Sequence, residues 1–177
     1  MKFSAKLYLF AAGLITAPAL FAQQGKNPLT QGEQGFFNYV SQQVINAAQE
    51  MPESEYSFKP TPEVRSFGQL VGHVADAQYM FCSIAAGEAN PSKGIEKNQT
   101  AKADLVQSAK DAAAYCNKIY SSLTDAQAAQ TVKFMGREMP KLTVLSINSG
   151  HTDEHYGNMV TYMRLKGHVP PTSMPRK

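Results

Sequence analysis

The sequence predicts an all-α fold, a single four-helix bundle, on three observations. Four long stretches repeat apolar residues at spacings of three and four, the period of a helix with one buried stripe. Their ends carry glycine, proline or capping-box pairs. The composition, 43% hydrophobic and 18% charged over 177 residues, is that of one globular domain and excludes a disordered chain or a large multidomain enzyme.

The first 22 residues stand apart from the bundle. Lys2 and Lys6 precede an uncharged apolar run from Leu7 to Phe21 that ends in the small residues Ala17, Ala19 and Ala22. This is the build of a secretory signal peptide; as a membrane span the run is short and interrupted by Pro18. Residues 1–22 are therefore expected to be removed, leaving an exported protein, periplasmic or secreted. Removal takes two of 17 Lys and Arg and none of 14 Asp and Glu, so the net charge falls from +3 to +1. No segment after the leader clusters basic and aromatic residues, which excludes nucleic acid as a partner.

Residues 23–34, rich in Gln, Gly and Asn, lack apolar periodicity and read as a flexible lead-in to a bundle spanning 35–172, with 173–177 as a tail. The first helix is expected from Gly35 to Met51, with Phe36, Phe37, Val40, Val44, Ile45 and Ala48 on one stripe and Pro52 closing it. Pro60 and Pro62 make the next segment an extended connection. Ser66 and Gln69 form a capping box that starts a second helix, which runs to Ala86 before Gly87. Glu88 to Gln99 is polar, holds Pro91 and Gly94, and reads as a loop. The third helix covers Ala101 to Leu123, and Thr124 with Gln127 predicts a short helical turn after it. Thr131 to Lys141 reads as a short extended excursion. The fourth helix then runs from Lys141 to Lys166, with Pro140 at its start and Gly167 and Pro170 at its end.

Chemistry concentrates in the histidines, of which there are four. His151 and His155 stand four apart on the fourth helix, so they project from the same face one turn apart and can reach one ion. A hydrogen-bonded pair with no ligand role satisfies the same spacing. His73 borders the apolar stripe of the second helix, near Leu70 and Ala77. Three histidines from two helices provide a ligand set that leaves a coordination position open. Neutral imidazole suits zinc, nickel, copper or iron, and we expect a divalent transition metal, zinc or nickel first. The string His151-Thr152-Asp153-Glu154-His155 also fits the inverted zinc-peptidase pattern H-x-x-E-H, though five residues alone specify little.

Two stretches resemble a known family. YSFKPTPEVRSFGQLVGHVAD, from Tyr56 to Asp76, and HTDEHYGNMVTYMRLKGHVPP, from His151 to Pro171, are similar to the two signatures of DinB-like proteins. The resemblance implies a bundle in up-down-down-up order with parallel second and third helices. It also implies a divalent metal on His73, His151 and His155, frequent homodimers, and either metal-dependent hydrolysis or transfer of small thiols. An export leader departs from the thiol-transfer members, because small thiols are cytosolic reagents.

Around the three histidines, Asp76, Glu154, Asn158 and Tyr162 are candidates for hydrogen bonds that orient the ligands, and Asp76 and Glu154 also for a general base. Exposed polar residues, or core filling for Tyr162, are the competing readings. His168 lies past the helix end and reads as packing. The expected function is that of an exported metal-dependent enzyme, hydrolase-type, acting on a small molecule the sequence does not identify. The alternatives are a non-enzymatic metal-binding module and a metal-dependent thiol transferase.

Cys82 and Cys116 are the only cysteines. Cys82 lies 16 residues after Ser66 and Cys116 lies 15 after Ala101. If the second and third helices run parallel, as the resemblance implies, the two are level within about 1.5 Å along the axis. A disulfide and a pair of buried thiols both remain open at this point.

Overall fold

The computed structural model describes residues 27–175. The expected signal peptide, and the lead-in up to residue 26, lie outside them. Four long helices dominate: α1 (Pro28–Glu50), α2 (Phe67–Ala86), α4 (Lys102–Ser122) and α6 (Lys141–Leu165). Two one-turn helices, α3 (Ile95–Asn98) and α5 (Asp125–Ala128), interrupt the connections. A two-stranded antiparallel hairpin, β1 (Thr131–Phe134) and β2 (Arg137–Pro140), precedes α6.

Helix α1 begins seven residues before the expected Gly35, so much of the supposed lead-in is helical. Its cap is tertiary. The Asp125 carboxylate accepts from the Leu29 and Thr30 backbone N–H groups at 3.1 and 2.9 Å and from the Thr30 hydroxyl at 2.5 Å. Asn27 Oδ1 returns the bond by accepting from the Asp125 N–H. A helix start needs acceptors for its first N–H groups, and here a distant residue supplies them. The expected loop from Glu88 to Gln99 differs too, because α3 forms inside it.

The starts of α2 and α5 follow local chemistry. Ser66 and Gln69 close a reciprocal capping box on α2, Thr124 and Gln127 do so on α5, and Gly87 ends α2 in the left-handed region. The hairpin turns on Met135 and Gly136, both with positive φ, the two-residue turn that matches strand twist.

Side-chain pairs fix the helix directions. Gly68 near the start of α2 packs on Leu105 near the start of α4, and Cys82 meets Cys116 at their far ends, so α2 and α4 are parallel. Gln78 reaches Thr152, and Cys82, further along α2, is met by Asn148, earlier in α6, which sets α6 antiparallel to α2. Ser146 and Ser149 of α6 bond Glu33, early in α1, so those two helices run parallel; Gln34 bonds Asn117 near the end of α4, so α1 and α4 do not. The bundle is therefore up-down-down-up, with α1 and α2 on one diagonal and α4 and α6 on the other.

The core fills the space between the four helices with Phe37, Val44, Val71, Leu105, Leu145 and Met159 among its fully buried members. Phe37 stacks on Tyr120, whose hydroxyl donates to the Leu145 carbonyl at 2.8 Å. Beneath the hairpin, Ala77, Phe81, Phe134 and Val144 form a smaller cluster. None of the described helices is long and apolar enough to cross a membrane.

Candidate metal centre

His73 sits near the start of α2, and His151 and His155 lie one turn apart in the middle of α6, on the seam where these antiparallel helices face each other. Their Nε2 atoms converge. His151 Nε2 lies 3.2 Å from His73 Nε2 and 3.1 Å from His155 Nε2, and a ligand atom from each lies within 4.8 Å of the others. Metal–nitrogen bonds of about 2.0–2.1 Å at tetrahedral angles place donor atoms about 3.4 Å apart. Two of the three nitrogen pairs have about that spacing, so the three rings could hold one ion together. His155 is buried and the other two are partly exposed.

Orientation of each ring has a separate cause. His73 Nδ1 lies 3.0 Å from Glu96 Oε2, so the carboxylate holds the proton on Nδ1 and leaves the Nε2 lone pair for an ion. Asn158 Nδ2 lies 3.3 Å from His155 Nδ1; with the amide turned over, Oδ1 accepts the Nδ1 proton and frees Nε2 in the same way. His151 Nδ1 is buried without a hydrogen-bond partner, and its ring rests 5.6 Å from that of Phe81, which the hairpin residue Phe134 backs at the same distance. Burial first, then the neighbouring His155 and His73, push His151 down to about 4, and burial also lowers His155. Both rings are therefore neutral donors at neutral pH.

Glu96 is the residue that sequence reasoning missed. It rides on α3, inside the segment read as a plain loop, and reaches His73 because two features press α3 onto α2. Gly72 has no side chain: a Cβ there would lie 2.7 Å from Glu96 Cα and 2.9 Å from its nitrogen. Asp76, one turn further on, accepts from the Ile95 and Glu96 backbone N–H groups at 2.9 Å each and from the Ser92 hydroxyl. A glycine inside a strongly helical pattern, beside a candidate ligand, was the available signal for such a close approach.

The other candidates fall into place around this. Asn158 does touch a histidine. Asp76 does not: its carboxylate fastens α3, which makes it neither a direct partner of a ligand nor a general base. Glu154 is exposed on the outer side of α6 and contacts no histidine nitrogen. Tyr162 makes no hydrogen bond to a histidine and donates its hydroxyl to the Arg65 carbonyl at 2.7 Å. His168 pairs with Glu55 at 2.6 Å, far from the cluster, as the packing reading expects. Cys82 and Cys116 are bridged, with Cα atoms 5.4 Å apart, and both are fully buried between α2 and α4.

Two cavities open on the histidines. One of about 350 Å³ is lined by His73, His151, Met80 and Phe81. The other, about 630 Å³, is lined by His155, Asn158, Tyr162, Arg65 and Gln69.

Comparison with known proteins agrees with this architecture. An uncharacterized protein of Bacillus subtilis (strain 168), YjoA, is 27% identical over 125 residues, 69% of this chain and 80% of that protein. Among solved structures, a DinB-like protein from Bacillus cereus ATCC 10987 superposes with a TM-score of 0.72 at 18% identity, over 80% of this chain and 95% of that one. The B. subtilis YjoA structure, described as DinB-like, gives 0.66 at 24% identity, over 82% and 99%. A mycothiol-dependent maleylpyruvate isomerase gives 0.61 at 14% identity, over 73% of this chain and 60% of that one. The model of the DinB superfamily matches residues 37–159, from the first helix through both paired histidines, and this chain belongs to that superfamily.

Proposed function

We propose that this protein is an exported metal-dependent enzyme of hydrolase type, holding one divalent transition ion, zinc or nickel, on His73, His151 and His155. The observation that carries the reading is the convergence of three Nε2 atoms, two of the pairs 3.1–3.2 Å apart, with burial keeping the His151 and His155 rings neutral. Three histidine nitrogens and no fourth protein ligand among the described residues would be the donor set of a catalytic rather than a structural site. A bound ion supplies Lewis acidity there, polarising a carbonyl or making water a nucleophile at neutral pH.

The chain's own residues do the rest. Glu96 holds the His73 proton at Nδ1, Asn158 orients His155, and Phe81 with the hairpin walls off the His151 ring. Arg65 Nε donates to the other Glu96 oxygen at 2.8 Å and keeps that carboxylate from swinging away. The substrate is a small molecule, because the cavities beside the histidines are hundreds of cubic ångströms and not long grooves. Thiol transfer is the second reading; the mycothiol-dependent neighbour supports it through the fold alone, and the leader argues against it.

Metal analysis of protein starting at residue 23 is expected to find close to one equivalent of zinc, nickel or a similar ion, and protein purified with no more than trace metal, that also takes none up, would overturn the reading. Mass spectrometry from the native host should find an N-terminus near Gln23. An intact Met1 in the cytosol would refute export and favour the thiol-transfer reading.

A further inference from the structure

The larger cavity beside the histidines has a charged fixture of which the metal reading uses only one N–H group. Arg65 lines it together with His155, Asn158 and Tyr162. Its backbone is set by two contacts, and its side chain, 41% exposed, by one. Its carbonyl accepts from the Tyr162 hydroxyl at 2.7 Å, its Nε donates to Glu96 Oε1 at 2.8 Å, and the next residue, Ser66, is locked in the α2 capping box. A guanidinium carries five N–H donors in a rigid fork, and only the Nε–H is committed to Glu96. The two terminal nitrogens form an edge of parallel donors, the shape that a planar carboxylate matches with two bonds.

Among the described residues, Arg65 makes its ion pair through Nε and none through that outer edge. The cavity is lined by Lys59 and Arg65 against Glu63 and Glu96, and Glu96 is already engaged by both Arg65 and His73. A cavity of about 630 Å³ holds a small molecule and little more.

We infer that this cavity is the substrate site and that its substrate is a small carboxylic acid, the carboxylate docked on the outer edge of Arg65 and the reacting end directed to the three histidines. The inference rests on the metal reading for the reacting end only. Arg65 shares Glu96 with His73, so an acid bound on Arg65 is held in fixed register with a metal ligand. The bond to the acid forms without breaking the one to Glu96, because the two use different N–H groups.

The test compares succinate with its neutral isostere succinamide by calorimetry, on protein loaded with cobalt and on metal-free protein, with the visible cobalt spectrum reporting uptake. Succinate is expected to bind about tenfold or more tightly than succinamide, the range of a charge-assisted hydrogen bond. Arg65→Gln should erase that preference, and Arg65→Lys should restore part of it, since the charge returns without the fork. Equal binding of the two compounds, no binding of either, unchanged preference in Arg65→Gln, or inorganic phosphate displacing succinate at equal concentration would each overturn the assignment. The two readings separate cleanly: an Arg65-dependent preference without cobalt uptake breaks only the metal reading, and normal uptake without the preference breaks only this one.

Discussion

Toward α4, helix α2 presents Gly68 packed on Leu105, Tyr79 against Tyr115, and Cys82 bonded to Cys116. Toward α6 the same helix presents His73, Gln78 and the edge of the Phe81 cluster. Among the described residues, the buried side-chain atoms without a hydrogen-bond partner are Gln78 Oε1, Asn148 Oδ1 and His151 Nδ1, and all three belong to α2 or α6. Burying such an atom costs on the order of 1–3 kcal/mol, so natural seams rarely accumulate them. The α2–α4 seam is built for cohesion. The α2–α6 seam carries polar cost, which folds tolerate mainly where a site requires it.

The sharpest way to break this contrast is to remove a ligand. His151→Ala or His155→Ala is expected to take stoichiometric metal uptake to none, because two remaining imidazoles rarely hold an ion against water. His168→Ala, on the Glu55 pair, should leave uptake unchanged. The paired cysteine variant Cys82→Ala with Cys116→Ala should also keep one equivalent. Elemental analysis after gel filtration reads all four, and uptake that survives in either ligand variant would remove the functional meaning of the seam.

The cysteine variant should fail elsewhere. Its bridge spans a sequence separation of 34. Closing a loop of that length stabilises by about 3–4 kcal/mol in the chain-entropy model, and its loss should lower Tm by roughly 6–16 °C. Calorimetry on metal-free protein makes the comparison fair, since bound metal would itself raise Tm. A smaller drop than that of His155→Ala would mean that cohesion is not concentrated on the α4 side.

A change that touches no ligand should still weaken the site. Gly72→Ala puts a methyl 2.7 Å from the Glu96 backbone, so α3 must move off α2 and take the Glu96 carboxylate from His73. Loss of such an orienting partner typically costs 10–100-fold in metal affinity. We expect a shift of about that size in competition titrations, with the helical circular dichroism unchanged. Glu96→Gln should reproduce it without the steric push, and affinities equal to the unmodified protein in both would dismiss Glu96 as an orienting group.

How much of this could be read from the chain follows the range of the interactions. The ends of α2, α4 and α6 lie within two residues of their sequence signals, because Ser66, Gly87 and Pro140 act locally. The start of α1 was not legible, since its cap, Asp125, lies 95 residues beyond Thr30. The paired histidines follow from helical spacing, and Asn158, one turn from His155, from the same rule. Glu96 does not: it lies 23 residues from His73, and only Gly72 hinted that another backbone comes close. Asp76 misled for the opposite reason, being on the right face but captured by the backbone of α3.

The smallest expected effect is on the pH dependence of stability without metal. Burial and two neighbouring histidines lower His151 from its ordinary value near 6.5 to about 4 in the folded chain. Below about pH 6.5 the unfolded chain binds a proton that the folded one refuses, so stability contributed by the neutral ring falls as pH falls, and levels off only below about 4. His155, lowered in the same direction, adds to the slope. The bridged cysteines hold no proton that could titrate in this window. The cysteine variant should therefore shift the curve of Tm against pH downward as a whole and leave its shape intact. His151→Gln should flatten the acid limb between pH 4 and 6.5 instead. Parallel curves for the two variants would show that the acid sensitivity lies outside the histidine seam.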